Sequence, residues 1–441
     1  MSTNLLDDLE YRGLIYQVTD REGLQRQLEG GPVVLYAGFD PTADSLHIGS
    51  LLPILCLRRF QLAGHIPIAL VGGGTGLIGD PSGRSTERTL NTADTVAKWT
   101  ESIRRQLSRF LDFEREGNSA RMANNYDWLS PLNVIAFLRD VGKNFTVNYM
   151  LAKDSVDSRL AGGISFTEFS YMILQSYDYL QLFKEQGCRL QIGGSDQWGN
   201  ITAGLELIGK SVGHEAGNEA AGEGAGGEHQ AEKDKAFGMT LPLVTKSDGK
   251  KFGKTESGAI WLDRDKTSPY QFYQFWINTD DNDVVRFLKF FTFLSREEIE
   301  QLGEEVKRQP EQRAAQKALA REVTLLVHGE DGLRSAENIT AALFSGDVTA
   351  LSATELVEAF TDVPSTELDD QPEVGLVDLL VEAKAAPSRR QARQDIESGA
   401  VYVNGERISD AAAVLTPAHR LHGKYVVLRR GKKNYWLVSF L

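Results

Sequence analysis

A histidine and a glycine lie close together in Asp40-Pro-Thr-Ala-Asp-Ser-Leu-His47-Ile-Gly49-Ser50, between an apolar run that reads as a strand and a helical pattern. A loop that leaves a strand and feeds a helix N-terminus suits an anion, because free backbone N–H groups and the helix dipole both favour negative charge there. His47 can donate to a phosphate, and Gly49 lets a nucleotide lie against the backbone. Roughly 200 residues downstream, Lys250-Lys251-Phe-Gly253-Lys254-Thr255 gathers three lysines and a hydroxyl in one short loop. Two such cationic elements could clamp a triphosphate from both sides. Taken singly, one is a helix cap and the other a solvated basic turn.

Gly74-Thr-Gly76-Leu-Ile-Gly79 fits the GxGxxG pattern of dinucleotide folds, but alone it is a weak signal. That fold wants the motif after its first strand, with an acidic residue about 20 positions on at the end of the next strand. Here it follows the second strand, and Asp94 opens a helix. A dehydrogenase is therefore disfavoured, and the glycines mark backbone passing close to a ligand or a neighbouring element. Tyr171, Gln175 and Asp178 recur at i, i+4 and i+7, so one helix face presents all three. Met172, Ile173 and Leu174 interleave with them, which suggests a helix buried on more than one side.

The elements that must hold these residues alternate. Val33–Ala37, Ile66–Val71 and Arg189–Ile192 read as buried strands. Helical patterns follow at Ile48–Leu62, around Val96, Ile103, Leu107 and Phe110, at Phe166–Phe183 and at Gln197–Ile208. Alternation of this kind predicts an α/β fold with a parallel sheet covered on both faces. Gly213–Ala236, with six Gly, six Ala and five Glu, cannot bury a core and reads as a flexible insertion. Residues 266–345 are helical, with Ser268-Pro269 and Ser295-Arg-Glu-Glu298 as start signals. Residues 346–373 read as an acidic linker. The tail, 374–441, is α+β: helices at Val374–Ala385 and Ser388–Glu397, a hairpin about Asn404-Gly405, and a second from Tyr425 to Phe440.

The chain has 441 residues and a net charge of −13, yet the tail holds 11 basic and 6 acidic residues, a net of +5. An acidic body with a basic tail hints at a polyanionic partner for the tail. Cys56 and Cys188 are the only cysteines and form no CxxC, which excludes a disulfide framework and a structural zinc. No apolar run is long enough to span a bilayer and no signal peptide is visible, so the expectation is a cytoplasmic protein with no membrane association.

Together, His47-Ile-Gly49-Ser50 and Lys251-Phe-Gly-Lys254-Thr255 resemble the HIGH and KMSKS signatures of class I aminoacyl-tRNA synthetases. More narrowly, the chain resembles the bacterial tyrosyl-tRNA synthetase family through Tyr36-Ala-Gly-Phe-Asp40-Pro-Thr, Gly76-Leu-Ile-Gly-Asp80-Pro-Ser-Gly, Tyr171 to Asp178, and Gly193-Gly-Ser-Asp196-Gln197-Trp-Gly-Asn200. The tail, with Ser388-Arg-Arg-Gln-Ala-Arg393 and Asn404-Gly405, resembles the S4 RNA-binding fold. The likeness runs through nearly the whole chain in order.

The resemblance implies a Rossmann-like catalytic domain at 1–265, an all-α anticodon-binding domain at 266–345 and an S4-like domain at 374–441. It implies that tyrosine is activated by ATP, with Mg2+ and no tightly bound cofactor, and is then passed to tRNA(Tyr). His47, Lys251, Lys254 and Thr255 would act on the departing pyrophosphate, with Arg84 and Arg88 as further contacts. Tyr36 and Asp178 would bind the substrate phenol. Tyr171, Gln175 and Asp80 would hold the α-amino group, with Gln197 near the tyrosine. Asp40, Gly49, Ser50, Gly194, Asp196 and Lys254 would meet ATP. Arg389, Arg390 and Arg393 would touch tRNA, and the protein would be a homodimer through its catalytic domain. The second histidine of HIGH is Ser50 here, which can hydrogen-bond but carries no charge. Tryptophanyl-tRNA synthetase, which shares the core, and RNA binding without catalysis remain as alternatives at this point.

Overall fold

The computed structural model describes residues 4–83, 86–219, 235–247, 249, 252–255, 258–361, 363–431 and 434–441, with backbone alone at 213–219 and 254–255. The chain forms two compact units, Met1–Thr267 with Asn278–Val323, and Ser268–Ile277 with Thr324–Leu441.

The first unit is built on a sheet of β1 (Gln17–Val18), β2 (Val34–Phe39), β3 (Ile66–Val71), β4 (Arg121–Asn124), β5 (Cys188–Gly194) and β6 (Phe237–Leu241). Their spatial order is β1-β6-β5-β2-β3-β4. All neighbours run parallel except β1, which pairs antiparallel with β6 at one edge. Leu35, Tyr36, Ala37 and Phe39 are all buried, as a strand covered on both faces requires. From β2 the chain steps outward through β3 to β4, then returns to β5 on the other side of β2. That reversal opens a crevice beyond the carboxyl ends of β2 and β5, where ligands bind in open parallel sheets.

The helix expected over Ile48–Leu62 is a 3-10 turn at Ile48–Ser50 followed by the helix Leu51–Leu62. The helix Phe166–Gln186 starts at Ser165, whose side chain accepts from the Glu168 N–H, and stops at Gly187 in the left-handed region (φ 67°). Met172, Ser176 and Tyr179 are buried alongside Tyr171 and Asp178, so this helix is enclosed on more than one side. The insertion differs from expectation at its start, because the helix Trp198–Glu219 carries the backbone through 213–219. The remainder, 220–234, lies outside the described residues, as do Arg84, Lys250 and Lys251.

The region 266–345 is helical as expected: Pro269–Ile277, Asp281–Phe291, Arg296–Arg308, and Ala314–Ser345 interrupted at non-helical Gly329. Ser295 and Glu298 form the reciprocal capping box. The region is shared between the two units and does not form one of its own.

The expected linker is a correction. Residues 346–373 hold the helix Ala353–Ala359, with its own Ser352/Glu355 capping box, and a strand, β9 (Ser365–Leu368). Leu351, Leu356 and Phe360 are buried in one apolar cluster with Val427 and Leu437. The expected helix at 374–385 also begins otherwise, as β10 (Val374–Gly375), before the helix Leu376–Glu382. The remaining strands are β11 (Val401–Val403), β12 (Glu406–Ile408), β13 (Val414–Leu415), β14 (Tyr425–Arg430) and β15 (Asn434–Phe440). Four of them join β9 in a sheet of order β12-β11-β14-β15-β9, in which β9 pairs parallel with β15. Asn404 (φ 51°) and Gly405 (φ 94°) form the expected hairpin turn.

Candidate active site

At the crevice beside β2 and β5, one cavity of about 170 Å³ takes in Tyr36, Asp40, Asp80, Tyr171, Gln175, Asp178, Gly194 and Gln197. All six residues assigned to tyrosine from sequence therefore line a single slot, together with two of those assigned to the nucleotide. A second cavity, about 470 Å³, shares Asp40 and Arg88 with the first and is lined by His47 and Trp261. Arg88 stands at the junction. Its Nε donates to the Asp80 carbonyl (3.0 Å) and its backbone N–H to the Glu168 carboxylate (3.1 Å).

Asp178 lies at the buried end of the slot, 2% exposed. Its two carboxylate oxygens accept from Asn125 Nδ2 (2.9 Å) and Trp128 Nε1 (2.7 Å). The Tyr36 hydroxyl is buried and has no hydrogen-bond partner among the described residues, and neither does Gln191 Oε1 in the same slot. A buried polar atom left unpaired costs about 1–3 kcal/mol, so the slot is built for a polar occupant that supplies the missing bonds. Asp40 accepts from Thr75 Oγ1 (2.7 Å) and the Tyr171 hydroxyl (2.8 Å). Tyr171 therefore already has an acceptor, and it reaches a ligand only with a lone pair.

Burial raises the Asp178 carboxyl from its ordinary 3.8 to about 7, against the opposing pull of Asn125 and Trp128. Loss of hydration likewise raises Asp40 to about 6, with Thr75 and Tyr171 opposing. Burial, and secondarily the charge of Asp178, puts the Tyr36 phenol well above its usual value, so it stays a donor. A carboxyl whose folded value is raised binds its proton more tightly in the folded state. The stability it lends is complete below about pH 4 and is lost as pH rises through about 7 for Asp178. Thermal unfolding of the ligand-free protein from pH 4.5 to 8 should show wild type losing ground to Asp178→Asn as pH rises. A constant difference between the two would contradict the raised value.

The two signature loops meet. The Ile48 N–H donates to the Ile260 carbonyl (3.0 Å), the Ile260 N–H to the Gly253 carbonyl (3.1 Å), and the Leu262 N–H to the Leu46 carbonyl (2.8 Å). Gly253 sits at φ 78°, and a Cβ there would come within 2.9 Å of Ile48 Cγ1. Phe252 stacks on Phe291 (5.3 Å between centroids) of the helix Asp281–Phe291. The backbone of Lys254 and Thr255 forms β7 (Lys254–Thr255), paired with β8 (Gly258–Ala259). The loop is thus pinned on both sides of the lysine next to Gly253. His47 is exposed beside Trp261, and its Nδ1 accepts from the Gly49 N–H (3.0 Å). Ser50 makes no capping bond with its side chain. Gly76 of the GxGxxG stretch packs on Pro41, where a Cβ would meet Cγ at 2.8 Å, so this glycine serves close packing of two site loops.

Asp196 is at the rim, close to Gly194 and Gly83. It is exposed and lines a separate cavity of about 670 Å³ with Lys153 and Trp198, while neighbouring Gly194 lines the slot. In the tail, Arg389, Arg390 and Arg393 are all exposed, but Arg389 is engaged by Asp378 (2.7 Å). Arg407 donates to the Gly399 carbonyl (2.8 Å) and Arg430 to that of Ala385 (2.5 Å), so these two brace the tail's own fold.

Sequence reasoning missed Thr75, Asn125, Trp128, Gln191 and Asn200. Asn124 ends β4 and Asn125 follows it, and this asparagine pair at the strand's carboxyl end was the one available signal.

Two family models match the chain. Residues 28–345 match the class I tRNA synthetases for tryptophan and tyrosine, and 355–438 match the C-terminal domain of tyrosine–tRNA ligases. Tyrosine–tRNA ligase 1 of Bacillus subtilis (strain 168) is 63% identical over 438 residues, covering 99% of this chain and 100% of that protein. The tyrosine–tRNA ligase of Geobacillus stearothermophilus is 61% identical over 437 residues, with the same coverage. Among solved structures, the C-terminally truncated mitochondrial tyrosyl-tRNA synthetase of Aspergillus nidulans is 34% identical with a TM-score of 0.68, covering 78% of this chain and 94% of that one.

Proposed function

This chain belongs to the class I tyrosyl-tRNA synthetases, and from that premise we propose how its residues join tyrosine to tRNA. The enzyme is a tyrosine–tRNA ligase. A tyrosine carboxylate oxygen attacks the α-phosphorus of ATP, the bond to the β-phosphate breaks, and pyrophosphate leaves. A hydroxyl of the tRNA's terminal adenosine then takes the tyrosyl group and AMP departs. No covalent enzyme intermediate forms, so the protein's work is positioning and charge stabilisation.

What supports a tyrosine slot at residue level is the unpaired Tyr36 hydroxyl in the same cavity as the Asp178 carboxylate. A substrate phenol between them accepts from Tyr36 and donates to Asp178. Asp80 and Gln175 take the ammonium and Gln197 lies near the carboxylate. ATP occupies the adjoining cavity, which Asp40 and His47 line, with Arg88 at the junction where the two substrates react; Gly194 meets the nucleotide from the slot, and Gly49 and Ser50 are assigned to it on motif grounds. Asp196 is assigned to the ribose, and its exposure means it meets the sugar from the rim. Lys251, Lys254 and Thr255, on motif grounds, and Arg84, from its place in a polar stretch next to the Gly76–Gly83 motif, complete the pyrophosphate contacts. Mg2+ travels with ATP on the phosphate oxygens, as suits a cation that keeps most of its water. Tyrosine-dependent ATP–pyrophosphate exchange tests the whole scheme; exchange driven equally well by tryptophan would overturn it.

The finer organisation is also proposed. Val134, Ile135, Leu138, Val147 and Phe166 of the first unit are apolar and exposed, which supports a homodimer through the catalytic region. Tyrosine activation belongs to residues 1–265, while 266–345 and 374–441 handle tRNA(Tyr). The setting is the cytoplasm; among the described residues no helix is long and apolar enough to cross a membrane.

In the tail, Arg390 and Arg393 are the exposed members of the arginine set without an ion pair to Asp378. Changing both to Ala should weaken tRNA binding and reduce the slope of log affinity against log salt by about 1 per lost phosphate contact. Adenylate formation should stay within about twofold. Filter binding between low and moderate salt measures the first and exchange the second; an unchanged slope would remove the tail arginines from the tRNA surface.

A further inference from the structure

Asn200 is 3% exposed and lies in the first turn of the helix Trp198–Glu219. It does not line the tyrosine slot, yet its amide nitrogen sits between two residues that do. Nδ2 donates to Gln175 Oε1 (3.0 Å) and to Gln197 Oε1 (3.1 Å), with Ser82 Oγ farther off at 3.4 Å. An amide nitrogen has two protons, and the two glutamines account for both.

A glutamine amide is nearly symmetric in shape and opposite in polarity at its two ends. Which end faces a ligand must be fixed by a partner. Because Asn200 offers only protons to both glutamines, both carbonyl oxygens turn toward it. Gln197 then has its own nitrogen left to donate, and it gives a proton to Asp80 Oδ2 (2.7 Å). Asp80 is held further by the Ser82 N–H (2.9 Å). One buried amide thereby orders the chain Gln175–Asn200–Gln197–Asp80.

We propose that Asn200 is a positioning residue for amino-acid recognition: it holds the Gln175 oxygen in place, whose second lone pair is left for the substrate ammonium, and it turns the Gln197 nitrogen toward Asp80 and the substrate carboxylate. This rests on the tyrosine-ligase reading. The amide polarity matters to tyrosine and not to the triphosphate, so its loss separates the two substrates.

The direct test is Asn200→Asp, which keeps the shape and replaces the shared donor by acceptors. Both glutamines then turn their nitrogens toward residue 200, and Gln197 presents an oxygen to Asp80. The tyrosine KM in ATP–pyrophosphate exchange should rise roughly tenfold or more, while the ATP KM stays within about twofold. Asn200→Ala, which adds no charge, should show the same split to a smaller degree, and its melting temperature checks folding. A second measurement asks whether Asn200 acts through the glutamines. In a Gln175→Ala/Gln197→Ala background, adding Asn200→Ala should change the tyrosine KM by less than about twofold. Equal rises in both KM values, or full additivity in the triple variant, would reduce Asn200 to a packing residue and overturn the proposal. Failure of wild type to exchange with tyrosine would instead sink the ligase reading, so the two failures are distinct.

Discussion

Replacing Asp178 by alanine is expected to lower kcat/KM for tyrosine about a hundredfold and to leave phenylalanine nearly untouched. A phenol O–H donated to a carboxylate is a charge-assisted bond, worth about 1.5–3 kcal/mol, and 2.8 kcal/mol corresponds to about a hundredfold. Phenylalanine cannot make that bond. In wild type it also leaves the Tyr36 hydroxyl and one Asp178 lone pair unmatched where both are buried. The truncation removes part of that mismatch, so the ratio of the two amino acids should collapse from both sides. Asp178→Ala also strands Asn125 Nδ2 and Trp128 Nε1, which donate to the carboxylate in the native slot. Asp178→Asn is the milder companion, since one of those donors keeps an acceptor. Exchange with each amino acid at saturating ATP gives the ratio, and an unchanged ratio in a folded variant would dismiss Asp178 as the phenol's partner.

The second large effect should come from the clamp. His47→Ala and Lys254→Ala are each expected to slow tyrosyl-adenylate formation about 10²-fold in a single turnover, with the tyrosine dissociation constant within about twofold. Groups that meet charge developing on a leaving pyrophosphate act on the transition state and not on ground-state binding, and losing one such donor typically costs 10²–10³ in rate. The backbone offers a third route to the same outcome. Gly253→Val places a branched side chain at φ 78° and drives it into Ile48, so the lysine loop must lift from the His47 turn without losing a charge. It should reproduce the Lys254→Ala phenotype. Normal activation rates with weakened tyrosine binding in these variants would place the two loops outside the chemistry.

These expectations draw unequally on sequence. The parallel strands β2, β3 and β5 were legible as short apolar runs because both of their faces are covered, and the Asn404-Gly405 turn announced its hairpin. The tyrosine slot was legible only through the family likeness, since nothing in the spacing of Tyr36 and Asp178 says that their side chains converge. Asn125, Trp128 and Asn200 stayed hidden for a related reason: each acts by pairing with a residue 25 to 53 positions away, and partner choice is set by tertiary structure. The supposed linker misled because composition was its only voice. In β9 intermediate and exposed residues alternate, with none buried, as an edge strand allows, so Ser365-Thr-Glu-Leu368 carries no apolar signature at all.

That same strand imposes an order on biosynthesis. β9 joins its sheet by pairing with β15, a strand made much later that ends at Phe440. At about 5–20 residues per second, the ribosome makes β9 several seconds before its partner exists. During that interval Leu351, Leu356 and Phe360 lack Val427 and Leu437, the residues that complete their cluster. The nascent chain therefore carries an uncovered apolar surface and an unpaired strand edge until β14 and β15 have been made, which makes this stretch a natural point of chaperone capture. It also means that a chain cut near Asp370 would keep this surface and never cover it. A stop near Ser345 would omit β9 and most of the cluster, and should give the more soluble fragment.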